Sequence, residues 1–109
     1  MSVFPKFIIE KDPELGNVLI IAKCTYHKQL ATIPENILGG GWWTLNRETE
    51  TFTLNGDSHD YGRASVEDIK DCIDRDMVFT NSSCMHSIVS KWNFKYMDQC
   101  GGITELKMK

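Results

Sequence analysis

The sequence predicts one α/β domain, a sheet with a helix packed on it. Three observations predict it. The run Asn17 to Tyr26 is apolar at the start of both strand faces. Trp42 to Asn46 and Thr51 to Asn55 flank Arg47-Glu48-Thr49-Glu50 as the arms of a hairpin. A helix-spaced stretch, Ser65 to Asp74, leads into a further β-rich run, Met77 to Thr80.

The first element is a short strand over Phe4 to Glu10, with Phe7-Ile8-Ile9 as its centre. Asp12-Pro13-Glu14-Leu15-Gly16 reads as a turn, because Pro fixes φ and Gly accepts positive φ. In Asn17 to Tyr26, Val18, Ile20, Ala22 and Cys24 share one face and Leu19 and Ile21 the other, which predicts a central strand covered on both sides. His27 to Leu38 is irregular, and Pro34 limits any helix there to a short piece. Gly39-Gly40-Gly41 implies unusual dihedrals or something lying close against the backbone. In the hairpin, Trp43, Leu45, Phe52 and Leu54 face the core, leaving Thr44, Thr51 and Thr53 outward. Gly56 to Ala64 is a polar loop. Ser65 and Asp68 resemble a capping box ahead of Val66, Ile69 and Ile73 at helical spacing. Beyond Thr80 two patterns compete. Met85, Ile88, Val89 and Trp92 fit a helix, whereas Trp92, Phe94 and Tyr96 fit a strand, and Ile103 to Met108 fits a last strand.

Composition narrows the function. The 109 residues suit a single domain, 1–109, without linkers or repeats. The net charge is −3 and no run of Lys or Arg occurs, which argues against a nucleic-acid partner. The longest apolar run, Val18 to Ala22, is far too short to span a bilayer, so no membrane partner is expected. The N-terminal residues carry no signal-peptide pattern, so the expected location is the cytoplasm. The four cysteines, Cys24, Cys72, Cys84 and Cys100, form no C-x-x-C pair and no common zinc spacing. The expectation is reduced, mostly buried thiols and no metal.

Three pieces carry the chemistry. Val18-Leu19-Ile20 leads to Tyr26-His27. Leu38-Gly39-Gly40-Gly41 follows. Gly56-Asp57-Ser58-His59-Asp60-Tyr61-Gly62 precedes the capped helix. Together, over residues 17–80, they resemble the phosphohistidine phosphatase (Janus) family. That family has a V-L-I strand running to a Y-H pair, then an L-G-G-G loop, a hairpin, an S-x-x-Y-G loop and a helix. The resemblance implies a single-domain mixed sheet flanked by one or two helices, with 81–109 an additional C-terminal segment.

It also implies a cofactor-free, metal-independent hydrolase of the P–N bond of a phosphorylated protein or peptide. His27 is then the general base, and a neutral imidazole suits that role. The backbone N–H groups of Ser58, His59 and Asp60 are then the cradle for the phosphoryl group, since exposed amides in a tight loop form an anion nest. Gly39, Gly40 and Gly41 would let a phosphate approach the backbone. Trp42 stands where the family has Arg, and Gly16-Asn17 where it has a basic residue ahead of V-L-I. Asp57 and Asp60 add negative charge, and Lys28, Arg47 or Arg63 are the candidate compensating cations.

A rival reading follows from the same residues. Here the domain keeps the fold without the catalysis and binds a ligand or a protein partner, with Trp42 as the pocket wall. His27 is then a satisfied histidine at a strand end, His59 a solvated loop residue, and the glycines a turn entering a strand. The adjacent Ser58-His59-Asp60 spells the letters of a triad, but a triad is defined by convergence in space.

Overall fold

The computed structural model describes residues 3–80 and 91–108. Its strands are β1 (Phe4–Asp12), β2 (Gly16–Cys24), β3 (Ile37–Asn46), β4 (Thr51–Asn55), β5 (Val78–Phe79), β6 (Asn93–Met97) and β7 (Ile103–Lys107). Helix α1 is Val66–Asp74. The strands form one mixed sheet in the order β5-β2-β1-β3-β4-β6-β7. β5 on β2 and β6 on β4 are parallel, and the other neighbours are antiparallel. None of the described helices is long and apolar enough to cross a membrane.

β1 runs through Asp12, two residues beyond the predicted Glu10. It forms a hairpin with β2 whose turn is built by Asp12. The Asp12 Oδ1 accepts from the Glu14 and Leu15 amides at 2.8 and 2.9 Å, and Gly16 takes φ +79°. The predicted second hairpin is present with Trp43 opposite Leu54 and Leu45 opposite Phe52. Thr51 departs from expectation: it is buried, because β6 lies alongside β4 and pairs Asn93 with it. Its hydroxyl turns back to donate to Thr49 O.

The main core lies on one face. Phe7 and Ile9 from β1, Leu19 and Ile21 from β2, and Phe52 and Leu54 from β4 are fully buried there. Phe52 stacks on Phe94 with ring centroids 5.3 Å apart, and Trp43 meets it edge-on at 5.5 Å. Each such ring contributes about 1.5–3 kcal/mol by leaving water. Helix α1 buries Ile69, Cys72 and Ile73 into this core and touches both β2 and β7, so the sheet curls around it. Ser65 occupies the N-cap position, but its side chain makes no capping bond. Asp68 instead accepts from Asn17 Nδ2 at 3.3 Å, so the expected capping box does not form.

The opposite face carries Lys6, Ile8 and Glu10 of β1, spaced by two as a strand requires. It is covered by two 3-10 turns, His27–Leu30 and Pro34–Asn36, the short helical pieces that Pro34 permits. In the C-terminal region the strand pattern holds for Phe94 and Tyr96, which are buried in β6. The helical pattern at Met85, Ile88 and Val89 lies outside the described residues.

Candidate functional site

At one end of β1 a cavity of about 340 Å³ opens on the face opposite the main core. His27 reaches it from the first residue of the 3-10 turn after β2. That turn is pinned by Gln29, whose Oε1 accepts from the Thr25 and Tyr26 amides at 2.9 and 2.8 Å. The His27 ring is 6% exposed, and its Nε2 lies 2.9 Å from Gly41 O. A carbonyl only accepts, so Nε2 carries the proton and Nδ1 the lone pair. No buried side-chain nitrogen or oxygen among the described residues lacks a partner. Nδ1 makes no hydrogen bond among the described residues, so it is the ring atom left open to the cavity. Burial pushes the imidazole below its ordinary value; the Gly41 bond raises it, Lys6 lowers it further and Asp60 raises it. The ring is therefore neutral at pH 7.

Lys6 is the cation of this site, and sequence reasoning missed it. Its β1 position pairs with Trp42 of β3, so the two side chains are cross-strand neighbours. Nζ donates to Thr25 O at 2.8 Å and lies 4.7 Å from the Trp42 ring centroid. The side chain is 8% exposed, yet it lines the cavity. An ammonium has three protons, so donors remain after the Thr25 bond. The available signal was Lys6 inside an apolar strand, sharing a face with Ile8. The candidate cations Lys28, Arg47 and Arg63 do not line the cavity. Lys28 lies over the Tyr26 ring at 5.7 Å instead.

The three glycines hold the site's backbone together from within β3. None of them has positive φ. What lies close to them is the chain itself. A Cβ on Gly39 would meet Arg63 O at 2.6 Å, and one on Gly40 would meet Phe7 O at 2.6 Å and the His27 ring at 3.0 Å. A Cβ on Gly41 would collide with Asn55 O. The space above the glycines is thus filled by protein, which is where the predicted phosphate approach would have to occur.

The Ser58–Gly62 loop is sewn to Gly40. Ser58 N donates to Gly40 O and Gly62 O at 3.1 and 3.0 Å, and Gly40 N donates to Gly62 O at 3.1 Å. The Tyr61 amide donates to Ser58 Oγ at 3.2 Å. The Ser58 amide is therefore spent inside the loop, contrary to its expected place in the cradle. The His59 and Asp60 amides donate to no group among the described residues, and both residues are exposed and line the cavity. Asp57 is exposed and does not line it. Trp42 forms the wall, edge-on to His27 at 6.0 Å and to Phe4 at 5.9 Å.

Fold and site together define a mixed α/β domain with a cavity that brings together a neutral histidine, a lysine and two loop amides without a partner among the described residues. Compared with known proteins, the chain matches no family model, no curated protein and no solved structure.

Proposed function

We propose that this chain is a Janus-like phosphohistidine phosphatase, working from the His27 cavity without a metal. The observation that carries the reading is the pairing of an open His27 Nδ1 with the Lys6 ammonium in one cavity, the tautomer fixed by the Gly41 carbonyl. The meeting of the Tyr26-His27 turn, the glycine strand and the Ser58–Gly62 loop supports the family resemblance.

In this reading the phosphoryl oxygens sit against Lys6 Nζ and the amides of His59 and Asp60. Water attacks phosphorus opposite the P–N bond and gives a proton to His27 Nδ1. The bonding pair leaves with the substrate's ring nitrogen, which is protonated from solvent. Charge is close to balanced. A unit charge about 5 Å from a phosphoryl oxygen is worth about 3 kcal/mol at an effective dielectric near 20. Lys6 therefore offsets the repulsion from Asp60. The substrate is a phosphorylated protein or peptide, met in the cytoplasm.

A test is ³¹P NMR of a phosphohistidine peptide with the chelated protein, compared with Lys6→Met. Phosphate release by wild type and a loss of about two decades in the variant support the reading. No release by wild type removes it. The rival, a binding module on the same fold, is favoured by the exposed Phe4 and Tyr26 beside the cavity, 43% and 55% exposed. It predicts saturable peptide binding with no turnover.

A further inference from the structure

A second cavity, about 370 Å³, lies on the same sheet face at the other end of β1. Lys6 and Glu10 are four residues apart, about 13 Å along a strand, so this groove is separate from the His27 cavity. Leu15, Val18, Ile20, Leu30 and Phe79 give it an apolar lining. Leu15 and Phe79 are 46% and 40% exposed.

Within that lining sits a carboxylate. Glu10 is 1% exposed, and its Oε1 accepts from the Thr32 and Ile33 amides at 2.8 and 3.1 Å. The other oxygen, Oε2, makes no hydrogen bond among the described residues. Since no fully buried side-chain oxygen among the described residues lacks a partner, Oε2 is the atom that meets the groove. No lysine or arginine lines the groove among the described residues. The nearby Arg75 is committed to Asp71 and to the carbonyls of Leu15 and Asn17. A buried carboxylate oxygen facing apolar walls gains most from a cation that brings its own hydrocarbon.

We propose that this groove binds a short-chain primary amine, with the ammonium on Glu10 Oε2 and the hydrocarbon against Val18, Ile20 and Leu30. An ammonium fits better than a guanidinium. The latter binds a carboxylate best through two parallel N–H bonds, and Oε1 is already taken. Asp12, also in the lining, adds negative charge at the same end. The volume is at the lower end for small-molecule sites, which selects a short chain.

The test is a methyl NMR titration with n-hexylammonium and with hexan-1-ol. Saturable shifts at Val18, Ile20 and Leu30 are expected for the amine, with the alcohol about tenfold weaker. Glu10→Gln keeps an acceptor for the two amides and is expected to bring the amine down to the alcohol's affinity. Leu30→Trp, which leaves Glu10 intact, is expected to abolish binding of both. Equal affinities for amine and alcohol, amine binding unchanged in Glu10→Gln, or no shifts at those methyls would overturn the proposal. N-acetyl-lysine methylamide binding as tightly as hexylammonium would overturn the assignment to a free amine.

Discussion

His27 donates its Nε2 proton to the carbonyl of Gly41, 2.9 Å away, and so joins the turn after β2 to the glycine strand β3. One bond fixes the ring's orientation and tautomer and leaves Nδ1 facing the cavity. The behaviour of the site with pH and substitution follows from it.

Burial holds the His27 imidazole below its ordinary value in the folded chain. As pH falls below about 6.5, the unfolded state takes up this proton first, so stability declines. The decline ends below the folded-state value, and the contribution is complete above the unfolded value. Urea midpoints measured from pH 8 to pH 4 are expected to fall across this window. In His27→Gln, whose amide can still donate to Gly41 O, the histidine-linked part of the slope is expected to vanish.

Lys6 depresses the same imidazole and Asp60 raises it. Lys6→Met is therefore expected to move the His27 NMR titration to higher pH, and Asp60→Asn to lower pH. The lysine variant also loses a charged hydrogen bond to Thr25 and a cation–π contact, at a cost of about 1–3 kcal/mol. Unchanged titrations would separate Lys6 and Asp60 from the histidine.

Asp60→Asn removes the carboxylate that lines the cavity. Affinity for inorganic phosphate, read by ³¹P NMR or calorimetry, is expected to rise at least about tenfold. A decrease would show Asp60 to be part of the binding machinery.

Gly41→Ala drives a Cβ into Asn55 O and the Phe7 ring, with Gly56 O at 2.9 Å. A loss of about 2–3 kcal/mol is expected, because the Asn55–Gly56 backbone and the buried Phe7 ring must both move. Gly62→Ala has open space around its Cβ but φ +75°, so only the left-handed strain of about 1–2 kcal/mol applies. Chemical denaturation of the two variants gives the comparison directly.

The thiols differ by environment. Burial pushes the Cys72 thiol up to about 12, and also raises Cys24. Cys100 is exposed. In a Cys84→Ser background, an aromatic disulfide reagent at pH 8 is expected to modify Cys100 at once, and Cys24 and Cys72 only on unfolding.

Much of this fold is legible in the sequence because local patterns and tertiary packing agree. The hairpin of β3 and β4 has alternating side chains and a polar turn, and β2 is apolar on both faces. Legibility fails where a residue's role depends on a partner distant in sequence. Lys6 reads as an ordinary N-terminal lysine until β3 brings Trp42 beside it. Glu10 reads as the polar end of a strand until the Thr32 and Ile33 amides close over it. Asp68 has capping spacing, but Asn17 competes for its carboxylate. His27, Trp42, His59 and Asp60 do share one cavity. The Ser58 amide and the glycines, by contrast, are engaged by the chain itself, because seaming a loop to a strand uses the same backbone groups that an anion would.

The most direct measurement is metal-free turnover of a phosphohistidine peptide by wild type, His27→Ala and His27→Gln, with folding checked by circular dichroism. Phosphate release by wild type and its loss in both folded variants are expected, since neither alanine nor glutamine can take the proton from water. Release that survives either substitution, or none from wild type, would contradict His27 as the base and leave the cavity as a binding site.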